Sequence, residues 1–427
     1  MPFVNCGSII VATETYIVIQ DPLGTSDSGA SAPSMNAGAL ESAVGKIEGS
    51  MVETVELTRR EALAIDAAPN MVIARPMPTR LISPQSPSGD GWEDLVGTPA
   101  ELAEVAAGGN NWGIAATGAD ASVFDGSGCV IAVLDTGLHE AHTAFAGVHM
   151  VQEDFSGDGP GDRHGHGTHC AGTILGRDVQ GSRIGIARGV TELRAGKVLS
   201  DQGGGQSDWL FKGMHWAIGQ KADVISMSIG FDFPGLVKGW IDSDNMPSDL
   251  AVARGLVMYR QNLRAFDAIM ATIKAMAALD AGALVVAASG NESKAHIAPS
   301  YRLDASLPAA ASDVIAVAAA EPIGVGGKHR IADFSNGAVQ LTAPGVGILS
   351  ARAGSTSGLT KMSGTSMACP HVSGIAALWW QMERQARPVG AVNVRHVQSR
   401  LTTSARGGAF AAGFGYFDYG DGLVSAP

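Results

Sequence analysis

Four short stretches of the chain carry side chains able to do chemistry. In K-M-S-G-T-S-M-A-C-P-H, residues 361–371, one serine, Ser366, stands among glycine and small neighbours, with Pro370 four positions on. A helix beginning near Ser366 places Pro370 in its first turns, where a missing N–H costs least. It also sets the hydroxyl at the positive end of the helix dipole. That position suits a nucleophile, although serine is equally an ordinary helix N-cap. V-L-D-T-G, residues 133–137, closes an apolar run with Asp135, which either orients a histidine or caps the next turn. D-R-H-G-H-G-T-H-C-A-G-T, residues 162–173, sets His164, His166 and His169 among small residues. Histidine clusters also bind zinc, but no carboxylate or thiol is expected at helical spacing to complete such a set, so no metal is expected. V-V-A-A-S-G-N-E, residues 285–292, ends in Asn291, an amide at the rim of a strand or a plain turn. In chain order these supply a carboxylate (Asp135), a general base (His166), an amide donor (Asn291) and a hydroxyl (Ser366), the parts of an acyl-transfer site.

Such parts need a frame. G-C-V-I-A-V-L-D (128–135), K-V-L (197–199), A-D-V-I-S-M-S (222–228), A-L-V-V-A-A-S (283–289) and V-I-A-V-A-A (314–319) are apolar runs. Strands buried on both faces read this way. Helical stretches lie between several of them, S-D-W-L-F-K-G-M-H-W-A-I (207–218) among them. The expected fold class is therefore α/β, a parallel sheet flanked by helices, with ligands at the carboxyl ends of the strands. Asp135, Ser228 and Asn291 all fall at such ends. Residues 1–80 read differently, as a small α+β domain with a strand at Y-I-V-I-Q (16–20) and a helix near 53–65. The four prolines of R-P-M-P-T-R-L-I-S-P-Q-S-P-S-G-D-G (75–91) predict an extended, exposed linker, and residues 81–108 read as a tether.

Composition narrows the function. The 427 residues are 45% hydrophobic and 16% charged with 56 glycines, which describes a globular chain with a large core and many tight turns. A net charge of −12 argues against a nucleic-acid surface. Four scattered cysteines, Cys6, Cys129, Cys170 and Cys369, form no CxxC pair and suggest neither a zinc site nor a disulfide framework. No apolar run is long enough to span a membrane. The N-terminus has no basic stretch ahead of its apolar residues, so a secretory signal is not visible. Together these favour a cytoplasmic protein, or one exported by a non-standard route.

The four motifs, in this order, resemble the subtilisin-like serine proteases (subtilases, peptidase family S8). V-L-D-T-G, H-G-T-H-C-A-G-T, A-A-S-G-N-E and S-G-T-S-M-A-C-P-H-V-S-G match that family's signatures, and G-F-G-Y-F-D-Y-G-D-G-L-V-S-A (413–426) is similar to its closing pattern. The resemblance covers roughly residues 110–427 and implies a serine endopeptidase with a subtilisin-like catalytic domain over 109–427. By resemblance Ser366 attacks the peptide carbonyl, His166 rather than His169 takes its proton, Asp135 orients the imidazole, and Asn291 with the Ser366 N–H binds the oxyanion. His169 is then a buried structural residue. Substrate is expected to add as a strand between residues 200–205, including Gly203 and Gly204, and residues 226–230. Ser228, Ile229, Gly230, Ala287, Ser289 and Gly290 would wall the first side-chain pocket. These walls favour an apolar residue before the scissile bond, with Glu292 at the rim drawing it toward basic ones.

The pattern is also departed from. Residues 231–262 form an insertion carrying Trp240, expected as a wall beside the cleft, a partner surface or a packed loop. Ahead of Asn291, Leu263, Phe266, Met270, Ile273 and Ala277 trace a helical stripe. The family often binds structural calcium, but L-G-R-D-V-Q-G-S-R (175–183) carries two arginines and no full set of oxygen ligands. Catalysis is expected to need no cofactor. The N-terminal region resembles a divergent form of the family's inhibitory propeptide, so the chain is expected as a self-processed zymogen whose partners are a protein or peptide substrate and its own propeptide. Cys170 and Cys369 would make it sensitive to thiol reagents. The rival readings are an inactive protease-like module that holds peptides in the cleft, and a narrow processing protease.

Overall fold

The computed structural model describes residues 12–20, 37–44, 51–84, 111–276, 282–323, 328–388 and 390–427. Its N-terminal region is built on strand β1 (Thr13–Gln20), whose β-branched run favours an extended chain. It pairs antiparallel with β2 (Val52–Thr58) on one side and β3 (Met71–Ala74) on the other. Helices α1 (Ala37–Val44) and α2 (Arg59–Asp66) complete the unit. The helix expected near 53–65 is thus half strand. V-E-T-V-E-L-T alternates at a period of two, and a capping box begins the helix only at its end. There Glu61 N–H donates to the Thr58 hydroxyl and Thr58 N–H to the Glu61 carboxylate. Alternation sorts the side chains of β1. Tyr16 and Val18 enter a small core with Ala43, Leu57, Ala62, Ile65 and Ile73, while Ile17 and Ile19 face the body of the protein.

The chain next forms β4 (Pro78–Leu81), then β5 (Val130–Asp135), β6 (His149–Asp154), β7 (Glu192–Lys197), β8 (Gly204–Gln206), β9 (Val224–Met227) and β10 (Ile229–Phe231). After a helical stretch come β11 (Leu284–Ala288), β12 (Ile315–Pro322), β13 (His329–Ile331) and β14 (Leu341–Pro344). An eight-stranded sheet runs in the order β13-β12-β11-β9-β5-β7-β6, with β14 also on β12. Every pairing in it is parallel except that of β13. The helices of this body are α3 (Trp112–Thr117), α4 (His166–Leu175), α5 (Ser207–Gly219), α6 (Phe233–Asp242), α7 (Ser248–Met276) and α8 (Thr365–Ala386). Ile131, Val133, Val286 and Val317 pack with α4 and α8 on one face. Ala132, Leu134, Val285 and Ala316 pack with α5 and α7 on the other. That two-sided burial is why the strands read as continuous apolar runs. No helix among the described residues is long and apolar enough to cross a membrane.

Two expectations shift. K-V-L (197–199) is not a strand but the exit from β7, whose sequence E-L-R-A-G-K hid it behind Arg194 and Lys197. Lys197 is buried, its ammonium donating to the Gly161 carbonyl at 3.1 Å and paired with Asp201. A charged group so satisfied can sit in a buried strand. The insertion is helical rather than a loop: α6 packs on the first half of α7, where Gly255 meets the Phe233 ring. Phe266, Met270 and Ile273 of the expected stripe are buried. Ala277 lies outside the described residues.

Candidate active site

Asp135 is the last residue of β5 and His166 the first of α4. The Asp135 Oδ1 stands 2.8 Å from His166 Nδ1, and both side chains are buried. Asp135 Oδ1 also accepts the Thr136 N–H at 2.8 Å. The helix sits tightly on the turn that follows: a Cβ on Gly167 would come within 2.3 Å of the Gly137 carbonyl, and Gly137 itself has φ of +105°. Only glycine serves both places. A buried carboxylate that motif reading passed over, Asp162, ties these parts together. It accepts from the Thr136 hydroxyl at 2.9 Å, the Thr168 hydroxyl at 2.6 Å and the backbone N–H groups of His164, Gly165 and Thr168. Its signal was an aspartate in the glycine-rich loop that leads into a helix.

Ser366 is the second residue of α8, as the opening motif predicts. Pro370, however, lies past the first turn, so its missing N–H leaves the Ser366 carbonyl without its helical donor. The Ser228 hydroxyl at 3.1 Å and the Cys170 thiol at 3.5 Å donate there instead. The Ser228 hydroxyl is thereby committed to the start of α8. Asn291 follows β11 and is locked to the same helix start. Its Oδ1 accepts from the Thr365 N–H and hydroxyl, both at 2.9 Å, which leaves the amide Nδ2 free to point outward. Ser289 and Gly290 are likewise fixed, the first donating to the Asn336 carbonyl at 3.0 Å and the second to the Thr365 hydroxyl at 3.2 Å. Ala287 is buried within β11.

The cleft between β8 and β10 holds a strand of the chain itself. β4 pairs antiparallel with both edges, Arg80 lying between Gly204 and Gly230, and Leu81 opposite Ile229. Leu81 N–H donates to the Gly203 carbonyl at 2.8 Å, and Asp232 N–H to the Pro78 carbonyl at 2.9 Å. Ile82 is buried, its Cγ1 facing Gly230. The Ser366 hydroxyl donates to the Ile82 carbonyl at 3.1 Å, while Asn291 Nδ2 donates to the next carbonyl, that of Ser83, at 2.9 Å. His166 Nε2 has no hydrogen-bond partner among the described residues. The linker reading of 75–91 is corrected here: the chain is extended but buried at Thr79, Leu81 and Ile82. The expected boundary at 80/81 cuts through β4. Residues 85–108 of the expected tether lie outside the described residues. Glu292 meets Arg80, two residues upstream of Ile82, rather than the first pocket.

His169 donates from Nε2 to the Ile348 carbonyl at 2.9 Å, and burial drives its pKa down to about 3, so it stays neutral. Contrary to the expectation that no thiol accompanies the histidines, one does. Cys170 is one turn from His166, and ligand-capable atoms of Asp135, His166 and Cys170 lie within 4.8 Å of one another. Burial pushes the Cys170 thiol well up and the Cys369 thiol to about 11. Neither is therefore a reactive thiolate, contrary to the expected thiol sensitivity. Cys6 lies outside the described residues. The loop after α4 does not fit a calcium cage. The Arg183 guanidinium already collects the carbonyls of Ala119, Gly185 and Ile186, and Arg188 pairs with Asp178.

Comparison with known proteins places this site in context. The profile of the subtilase family (peptidase S8) matches residues 126–417. The chain is 32% identical over 269 residues to the major intracellular serine protease of Bacillus subtilis (strain 168), covering 61% of this chain and 71% of that protein. It is 33% identical over 266 residues to an intracellular serine protease of Paenibacillus polymyxa, covering 60% and 68%. A subtilisin-like protease of Pseudogymnoascus destructans (strain ATCC MYA-4855 / 20631-21) is 32% identical over 286 residues, 63% of this chain but 58% of the fungal protein.

Proposed function

The chain belongs to the subtilase family of serine peptidases, and on that premise we propose that it is an endopeptidase working through Asp135, His166 and Ser366 and made as a self-inhibited precursor. In this reading the Ser366 oxygen attacks the substrate carbonyl while its proton passes to His166 Nε2. Asp135 holds Nδ1–H, which fixes the tautomer and stabilises the imidazolium. The oxyanion is met by Asn291 Nδ2 and the Ser366 N–H at the start of α8, donors held in place before reaction. His166 then protonates the departing amine, and water releases the acyl group by the same steps in reverse.

One observation carries the precursor reading: Ser366 and Asn291 grip the carbonyls of two consecutive residues, Ile82 and Ser83. In a bond about to be cut, nucleophile and oxyanion donor must address the same carbonyl. The strand thus follows a substrate's path as far as Leu81 and then holds the machinery apart. With the strand gone, the Ser366 hydroxyl is free to turn to His166. Ile82 beside Gly230 supports an apolar residue before the scissile bond. The names of the two bacterial relatives support an intracellular setting.

An organophosphonate serine probe should label the active wild-type protein and not Ser366→Ala. The N-terminal region through β4 should be missing from the active form. A chain that binds peptides but never reacts with the probe is a binding module instead. Full activity in a protein still beginning at Met1 overturns the precursor reading.

A further inference from the structure

Arg80 is held by more than backbone pairing. Its guanidinium lies 3.4 Å from Asp232 and 3.3 Å from Glu292, two carboxylates from elements far apart in sequence. Each carboxylate is fixed independently of the arginine. Asp232 caps α6, its Oδ1 accepting the Gly235 N–H at 3.1 Å. Glu292 Oε2 accepts from the Asn336 amide at 2.8 Å, and Asn336 is itself buried and bonded to Ser289 and Ser293. Asp232 directly follows β10, so the first turn of the helical insertion positions one half of the pair. Counting back from Ile82, Arg80 is the third residue before the bond facing Ser366.

We propose that Asp232 and Glu292 form an acidic subsite selecting arginine or lysine at the third residue before the scissile bond. This rests on the reading above that β4 follows the substrate's path. The insertion then has a function that its packing alone does not explain: it brings a second carboxylate to a subsite that Glu292 begins. Because Arg80 keeps 42% of its side chain exposed, the gain is one of preference rather than absolute requirement. Arginine should exceed lysine, since a planar fork can engage two carboxylates at once.

The test expresses the full chain and offers the protein obtained the peptides Pro-Thr-Xaa-Leu-Ile joined to a fluorogenic amide, Xaa being arginine, lysine, glutamine or glutamate. The expected order of kcat/KM is arginine, lysine, glutamine, glutamate, with arginine about fivefold over glutamine and the ratio shrinking as salt is raised. Asp232→Asn keeps a good helix cap and Glu292→Gln keeps an acceptor for Asn336, so both variants should fold. Combined, they should bring the arginine-to-glutamine ratio close to one, and Glu292→Arg should shift preference toward glutamate. Equal rates on all four peptides in the wild type, or an arginine preference that survives the double variant, overturns the subsite. Hydrolysis that vanishes in Ser366→Ala bears on the peptidase chemistry separately. Should no peptide be cut, the same ratio is read from Kd by anisotropy of labelled peptides, where equal affinities again overturn the subsite.

Discussion

The N-terminal sheet and the eight-stranded sheet behind it are stabilised by different means. Strands β9 and β11 are buried at every position, between a face lined by α4 and α8 and another lined by α5 and α7. The N-terminal unit has, among the described residues, a private core of only Tyr16, Val18, Ala43, Leu57, Ala62, Ile65 and Ile73. Its other face, Ile17, Ile19 and Val52, shares a core with Leu210, Phe211 and Phe266 of the main body. Among the described residues, the unit thus draws much of its apolar burial from the main body. Its folding and its hold on the cleft are therefore one contact, and loosening either should loosen both.

The sharpest way to separate the two regions is to remove the chemistry and keep the fold. Ser366→Ala should lower kcat/KM for peptide hydrolysis by about 10⁴-fold or more, with Tm almost unchanged; residual turnover near wild type would place the nucleophile elsewhere. Next, Asn291→Ala should cost about 10²–10³ in kcat, read under saturating peptide, whereas an effect confined to KM would deny it the oxyanion role.

A matched pair of core truncations then tests the contrast itself. Ile17→Ala and Ile225→Ala each remove a fully buried isoleucine side chain, and each should cost about 2–5 kcal/mol. In β9 the loss should appear as a lower Tm of the whole protein. In β1 it should appear instead as faster appearance of peptide hydrolysis from the full chain, because the strand in the cleft is less firmly held. A Tm drop from Ile17→Ala without any gain in activity would break the comparison.

The mildest effect is that of pH. No histidine precedes His139 in the sequence, so mild acid acts through the main body. Burial holds His169 near pKa 3 and His371 near 4, both below the ordinary 6.5. Below 6.5 the unfolded chain takes up protons that the folded chain refuses. Stability is thus full above that value and falls as pH drops toward 4 and then 3. Thermal melts between pH 7 and 4 should show this decline, shallower in His169→Asn; a flat profile would contradict it.

Much of this was legible in the residues. The alternation of apolar runs and helices, and the strand ends at Asp135, Ser228 and Asn291, follow from two-sided burial, a local property of composition. Ser366 at the start of α8 follows from its small neighbours. The strand E-L-R-A-G-K escaped because its buried charge is satisfied by the Gly161 carbonyl, from a distant loop, together with Asp201 just past the strand. Asp162 escaped for a related reason, since its worth lies in the number of donors folded around it.

The order and types of Asp135, His166, Asn291 and Ser366 were settled by the sequence alone, because each role demands a particular side chain at an element's end. Tertiary structure decided what those groups face: Ser228 and Cys170 filling the donor that Pro370 lacks, β4 between β8 and β10, and Arg80 between Asp232 and Glu292. These pairings join residues well over a hundred positions apart in the chain. Nothing in the local pattern encodes them, because they form only once burial of both faces of the sheet has offset the entropy of closing such long loops.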